Sequence, residues 1–393
     1  MPKLCDELQC TGCGICAQVC PGRCIIMQEN NEGFLHPQVD ATLCVRCGLC
    51  EKMCPVLHTP PYKDKPQPKA FAAHAGCTDV LEQSSSGGVF TLLAMEVLNA
   101  GGIVFGASFD ENWNVRHVGV ETAEELARLR GSKYVQSALG DTCFQAKQAL
   151  DAGRQVLFSG TPCQIAGLRR YLKKEYNKLL CVDIICHSVP SPKVWRAFIK
   201  DLEDRVGGRL TNVNFRDKRN GWDQYCFRAT FENGAEERYR VASNPYMRAF
   251  LKDLSTRPSC YHCKFKGISR ESDITLGDFW GVQTVIPEAY FEKGTSLVLV
   301  NSEKGRDAMA EVAKYSVMQC VDLEMAVRPN PAYSSTFQPN PNRNEFFERL
   351  STCEDLCALI YELTPDSEVK PLPLFWRIRG KFGRLLRQIT GKS

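Results

Sequence analysis

Two stretches of this chain repeat one cysteine spacing: CTGCGICAQVCP, with Cys10, Cys13, Cys16 and Cys20, and CVRCGLCEKMCP, with Cys44, Cys47, Cys50 and Cys54. Nothing else in the 393 residues limits the fold as tightly. Three cysteines at this step wrap one face of an iron–sulfur cubane, and the fourth, carried off before a proline, serves the other cluster. The spacing therefore predicts one 4Fe–4S cluster on Cys10, Cys13, Cys16 and Cys54, and a second on Cys44, Cys47, Cys50 and Cys20. Gly12, Gly14 and Gly48 are small enough to let backbone amides approach the sulfurs. A pair of structural zinc sites is the competing reading, but zinc gathers C-x2-C pairs in fours and has no use for a third cysteine at the same step. Cys5 and Cys24 fall outside the pattern and read as packing cysteines.

Residues 1–57, which hold ten of the 21 cysteines, resemble the bacterial two-cluster ferredoxin domain. A fused module of that kind is an inlet or outlet for electrons, so the chemistry is expected downstream. The first residues, MPKLCDELQC, contain no apolar leader, and no apolar run reaches the length of a membrane span. So many cysteines without export point to metal ligation in a reducing cytoplasm rather than to disulfides. The formal net charge of +4 is too weak to suggest nucleic acid, and is compatible with acidic protein partners or phosphorylated cofactors.

Residues 58–69, rich in proline and charge, read as an extended linker. From Ala70 strand and helix patterns alternate. KAFAAHAG, IVFGASF, RQVLFSG and KLLCVDIICHSV read as strands; SSSGGVFTLLAMEVLNAGG, TAEELARLRGS and PSPKVWRAFIKDLEDRVGG read as helices with capping or terminal signals. RLTNVNFRDKRNGWDQYCFRATFENGAEERYRV, with turn signals at Asn220-Gly221 and Asn233-Gly234, reads as an antiparallel ribbon. The expected fold class is α/β (α+β overall): the small ferredoxin-like domain, then an α/β body of two parts, 70–150 and 151–330, and an extension over 331–393.

Four further cysteines sit where a strand end or loop delivers them. Cys163 begins a helix in FSGTPCQIAGLRRYL, Cys186 ends a strand in DIICHSVPSP, and Cys260 and Cys263 form CYHC in a proline-flanked loop. Strand ends of an open α/β sheet gather along one edge, where such folds place ligands. Four thiolates meeting there would make a third metal centre. The alternative is that Cys163 and Cys186 are buried strand-end cysteines and the CYHC pair binds something else.

The blocks SSSGGVFTLLA, LRGSKYVQS, FSGTPCQIAGLRRYL, DIICHSVPSPKVW and CYHCKFKGISRESDITLGDFWGV occur in that order over about residues 68–330. They resemble the successive blocks of the family of coenzyme F-420 hydrogenase/dehydrogenase beta subunits, which also holds the ferredoxin-dependent hydroxymethyl chlorophyll reductases. The resemblance implies FAD, and a third 4Fe–4S cluster on Cys163, Cys186, Cys260 and Cys263. It also implies electron transfer between cluster, flavin and an organic acceptor such as a deazaflavin or another conjugated ring.

The pyrophosphate of FAD is met by backbone N–H groups, a helix N-terminus and modest positive charge. Given the resemblance, the candidate contacts are Ser85, Ser86, Gly87 and Gly88 ahead of an apolar helix. Lys133, Tyr134, Gln136 and Ser137 of GSKYVQS, and Thr161 at the next helix start, complete the set. Without the resemblance SSSGG is an ordinary cap and turn, and no G-x-G-x-x-G follows the first strand. Asp278, with Phe279 and Trp280 at the exit of SDITLGDFWGV, and His187 beside Cys186 are the candidate catalytic groups. The aromatic pair would shield a flavin ring and the imidazole would donate protons. The plain accounts are a turn cap, a core tryptophan and a structural histidine.

The expected function is that of a cytoplasmic iron–sulfur flavoprotein oxidoreductase. It takes electrons from a ferredoxin or another redox protein and delivers them through FAD to an organic acceptor, coenzyme F-420 or a relative. The alternative is an electron-transfer subunit of a larger hydrogenase- or dehydrogenase-like complex, without its own substrate. The tail FWRIRGKFGRLLRQITGKS is basic and partly amphipathic. Such a helix lies on an anionic membrane surface or docks an acidic partner; the competing reading is a helix packed on the body.

Overall fold

The computed structural model describes residues 2–58, 66–268 and 270–365. The basic tail and most of the linker, 59–65, lie outside the described residues. In the N-terminal module β1 (Ile25–Glu29) pairs antiparallel with β2 (Leu35–Val39), and two short helices carry the cysteine runs.

The body is built on an eight-stranded mixed sheet. Its strands are β3 (Lys69–Ala75), β4 (Ile103–Phe109), β5 (Val115–Val120), β6 (Val156–Gly160) and β7 (Leu179–Ile184). Three more complete it, β11 (Ile274–Asp278), β12 (Ser296–Val300) and β13 (Ser316–Val321). The order is β13-β3-β12-β11-β7-β6-β4-β5. The central run β4-β6-β7-β11 is parallel and the flanking pairs are antiparallel. Parallel strands need helical crossovers, which cover both faces of the sheet; β6 accordingly begins with the buried apolar run Val156, Leu157 and Phe158.

Alternation in β6 divides the core. Leu157 faces one side with Val89, Leu93 and Val97 of helix Val89–Asn99 and Met309 of helix Glu303–Val312. Val156 and Phe158 face the other side, with Leu150 of helix Thr142–Asp151 and Ile165 and Leu168 of helix Pro162–Leu172. Ile15 of the N-terminal module is buried in this second cluster, so the module packs directly on the body.

The antiparallel ribbon is present as β8 (Leu210–Asp217), β9 (Cys226–Phe231) and β10 (Glu236–Arg240). It closes over helix Pro192–Val206 through Phe215, Phe227, Trp195 and Phe198. That helix has both ends written in sequence: Ser191 accepts from the Val194 amide, and Gly207 ends it at φ 73°. TAEELARLRGS departs from expectation, forming only one 3-10 turn, Glu125–Arg128. In and beside that turn Leu126 and Leu129 are the buried hydrophobics, too narrow an apolar face to hold a longer helix against the sheet.

Candidate functional site

In each cysteine run a glycine in the left-handed region, Gly14 at φ 74° or Gly48 at φ 70°, starts a one-turn helix, Ile15–Gln18 or Leu49–Lys52. Each helix carries the third cysteine and releases the fourth beyond its end. The two helices pack on each other, which crosses the fourth cysteines between runs. Cys10, Cys13, Cys16 and Cys54 line one cavity; Cys20, Cys44, Cys47 and Cys50 line another. The Gly12 amide lies 3.4 Å from the Cys10 sulfur. Burial pushes the Cys10, Cys13 and Cys16 thiols up, and each is raised further by sulfurs of its own set. Such a site takes up thiolate charge only when a metal neutralises it. Cys5 and Cys24 do more than pack: their sulfurs lie 3.5 Å from that of Cys54 and 3.3 Å from that of Cys20, beside the two crossing cysteines.

The third set forms at the carboxyl edge of the parallel strands. β6 and β7 end side by side, Gly160 opposite Asp183. Beyond β6, Thr161 and Gln164 make a reciprocal capping box that opens helix Pro162–Leu172 and sets Cys163 in its first turn. Beyond β7 comes Cys186. The chain after Cys186 is laced to the segment before CYHC: the Arg257 amide donates to the Val189 carbonyl (3.0 Å), and the Ser188 and Thr256 hydroxyls meet at 2.9 Å. The 3-10 turn Pro258–His262 then carries Cys260, with Cys263 just past it, to the same edge. Burial, then the Cys263 and Cys260 sulfurs, push the Cys163 thiol up to about 12. Burial and the Cys260, Cys163 and Cys263 sulfurs raise Cys186 as well. All four sulfurs are thus close enough for each to oppose ionisation of another.

The first and third sets are neighbours. Cys54, Val56, Ala166, Phe265, Cys163 and Cys263 belong to one apolar contact group, and the Cys13 thiol is raised in part by Cys163. The Cys20/Cys44/Cys47/Cys50 set lies outermost, with Cys47, Leu43 and Val45 exposed.

The candidate flavin residues divide into two groups. Ser85 accepts from the Ser132 amide (2.8 Å) and hydroxyl (3.0 Å), which brings SSSGG against the loop that holds Lys133. Ser86 donates to the Thr295 carbonyl at 3.2 Å, and the Gly87 amide to Ser296 at 3.0 Å. Gly88, at φ 82°, caps helix Val89–Asn99. Two amines bracket this turn and, among the described residues, bond carbonyls. Lys133 reaches Arg130 and Gly131, and Lys218 reaches Leu81, Ser86 and Lys293. Burial pushes Lys133 down to about 7 and Lys218 down to about 8. Asp278 and Glu82 offset part of that on Lys218, and an anion such as a pyrophosphate at this turn would favour the protonated form of both amines. Tyr134 packs on Phe215 and Phe250 and takes a 3.3 Å bond from Arg216.

The second group turns toward the cysteines. Gln136 donates to the Thr11 carbonyl (3.1 Å) and accepts from Arg257 (2.9 Å). Ser137 bonds His117 at 2.7 Å, and the Thr161 hydroxyl lies 3.1 Å from the Cys163 sulfur. Among the catalytic candidates, Asp278 accepts a bidentate pair from buried Arg216 (2.6 and 3.1 Å) and a 2.8 Å bond from the Trp222 indole. Trp280 stacks on Trp222 at 5.1 Å. His187 lies 3.0 Å from Asp253 and packs on Phe337. Sequence reasoning missed Arg216, Lys218 and Arg257: the first two stand in the charged run Arg216-Asp217-Lys218-Arg219, where nothing singles them out, and the signal for Arg257 was its place three residues before Cys260.

Crossed four-cysteine sites in a ferredoxin-like module, set against an α/β body, define an iron–sulfur electron-transfer protein of the oxidoreductase class. Residues 9–57 match the 4Fe-4S dicluster domain. Residues 70–142 match the N-terminal model, and residues 153–325 the C-terminal model, of the coenzyme F420 hydrogenase/dehydrogenase beta subunit. The chain belongs to that family of beta subunits. A curated relative, one of the subunits of the F(420)H(2) dehydrogenase of Methanosarcina mazei, is 26% identical over 232 residues, which cover 53% of this chain and 58% of the relative. A solved structure of the F420-reducing NiFe hydrogenase complex from Methanosarcina barkeri aligns at TM-score 0.46 and 19% identity, over 75% of this chain and 96% of that one. No helix among the described residues is long and apolar enough to cross a membrane.

Proposed function

We propose that this chain carries electrons between a ferredoxin-type protein and an organic acceptor, with coenzyme F-420 the first to try. Three 4Fe–4S sites and FAD serve that transfer. The observation that supports this most is the unbroken apolar contact of Cys54, Val56 and Ala166 with Phe265, Cys163 and Cys263. When bound, the clusters supply one-electron transfer and FAD supplies the exchange between one- and two-electron chemistry. The chain supplies the rest. Its three cysteine sets hold the metal sites in the order exposed, inner, sheet edge. Ser85–Gly88, Lys133 and Lys218 receive the pyrophosphate. Asp278 positions Arg216, and Trp280 excludes water beside it. His187, oriented by Asp253, is the proton donor.

A second reading, in which the chain is an electron-transfer component of a larger dehydrogenase complex, is favoured by the relative named as part of such a complex. A stable partner on purification from the native cell supports that reading.

Anaerobic purification of the full chain, with iron, sulfide and flavin assayed, tests both. Three cubanes give about twelve irons per chain, together with FAD. Cys260→Ser is expected to lose about four irons and ferredoxin-driven F-420 reduction, while keeping its flavin. A colourless zinc protein, or wild-type turnover by Cys260→Ser, overturns the proposal.

A further inference from the structure

Arg257 is fully buried, and its side chain joins three distant parts of the chain. Its Nε donates to the Cys10 carbonyl at 2.7 Å. One terminal nitrogen donates to Gln136 at 2.9 Å; the other donates to the Leu35 carbonyl at 3.0 Å and to His36 at 3.1 Å. The guanidinium also stands over the Phe34 ring at 5.2 Å. None of these hydrogen-bond partners is anionic. The negative charge that would face it is that of ligated sulfur: Arg257 holds the Cys10 carbonyl, its own carbonyl accepts from the Cys260 amide at 3.0 Å, and its cation favours the thiolate forms of Cys10, Cys163 and Cys260. An arginine stays charged at any working pH, and a buried one without a carboxylate is costly unless something negative faces it. The Gly12 position shows how close the fit is, since a Cβ there would stand 2.8 Å from the guanidinium.

We propose that Arg257 is the shared counter-cation of the Cys10/Cys13/Cys16/Cys54 and Cys163/Cys186/Cys260/Cys263 sites. It raises the reduction potential of both and presses the first cysteine loop against the body. Each site gains one negative charge on reduction, and a fixed positive charge in the same low-dielectric region stabilises the reduced form. The Cys20/Cys44/Cys47/Cys50 site, on the far side of the module, feels it least. Arg257 is a positioning residue, and the inference rests on the cluster reading above.

The test is an anaerobic redox titration of the full chain followed by electron paramagnetic resonance, with each signal assigned from a cysteine variant of its own set. In Arg257→Met both inner potentials fall by at least a tenfold change in the reduction equilibrium, about 59 mV for one electron, while the outer site moves far less. Arg257→Lys keeps the charge and restores most of the shift. Gln136→Glu places a carboxylate on the guanidinium and lowers both potentials with the arginine still present, which covers the case of a methionine variant that does not fold. Inner potentials unmoved in Gln136→Glu and in Arg257→Met, or all three sites shifted equally, overturn the inference. Iron analysis of the wild type reports separately on the cluster reading. If the sheet-edge site holds no iron, the Cys10 site alone carries the test.

Discussion

Asp278 illustrates how a residue's meaning depends on what faces it. Next to an aromatic exit it invites a catalytic role, yet its carboxylate is occupied by Arg216 and Trp222, both buried. Asp278→Asn leaves a buried guanidinium without its counter-charge and should cost about 3–5 kcal/mol, read by chemical denaturation. A variant of unchanged stability that has lost turnover would return Asp278 to the chemistry. Gly87 is a similar case. A Cβ there would stand 2.4 Å from the Ala73 carbonyl, so the glycine serves contact with β3. Gly87→Ala should cost about 1–3 kcal/mol by overpacking, whether or not flavin is present. Two buried imidazoles set a pH dependence. Burial pushes His117 down to about 4, and burial with Arg257 does the same to His36. The unfolded chain binds these protons below about pH 6.5 and the folded chain does not until about pH 4. Stability should therefore decline as pH falls across that window. A melting temperature that is flat from pH 7 to pH 5 would contradict this, and His117→Gln should remove part of the slope.

At the scale of elements, helix Pro162–Leu172 does the most for the site. Its capping box satisfies backbone groups at the end that carries Cys163. The Thr161 hydroxyl takes part in that box and also lies against the Cys163 sulfur. Thr161→Ala should cost about 1 kcal/mol and lower iron retention at the sheet-edge site on dialysis, whereas Thr161→Ser should retain both. The parallel pair β6 and β7 matters for a different reason. Parallel strands release their chains at one edge, so two cysteines separated along the sequence begin as neighbours.

Across the whole molecule, the ferredoxin-like module is held by packing and by charge. Ile15 is completely buried and would meet a Cβ at Gly167 at 2.7 Å. Glu32 is paired with Arg343, and Glu29 with Arg196. Ile15→Ala should destabilise the chain by about 2–5 kcal/mol and slow electron passage into the sheet-edge site. Stopped-flow reduction of the full chain, compared with the loss of melting temperature, measures both. Unchanged rates would place the route elsewhere than across this contact.

The grouping of eight cysteines around two cavities was legible in the chain, because steps of three and a helix turn are local geometry. The strands β3, β4, β6 and β7 and the helix Pro192–Val206 were readable for the same reason: period, caps and glycine stops lie within a few residues. The contacts of Gly87, Gln136, Asp278 and Arg257 were not. Their partners stand far away in sequence, 209 residues for Gly87 with Ser296 and 247 for Arg257 with Cys10. A residue's type states what it can donate, accept or neutralise, and only the folded chain brings up the group that takes the offer.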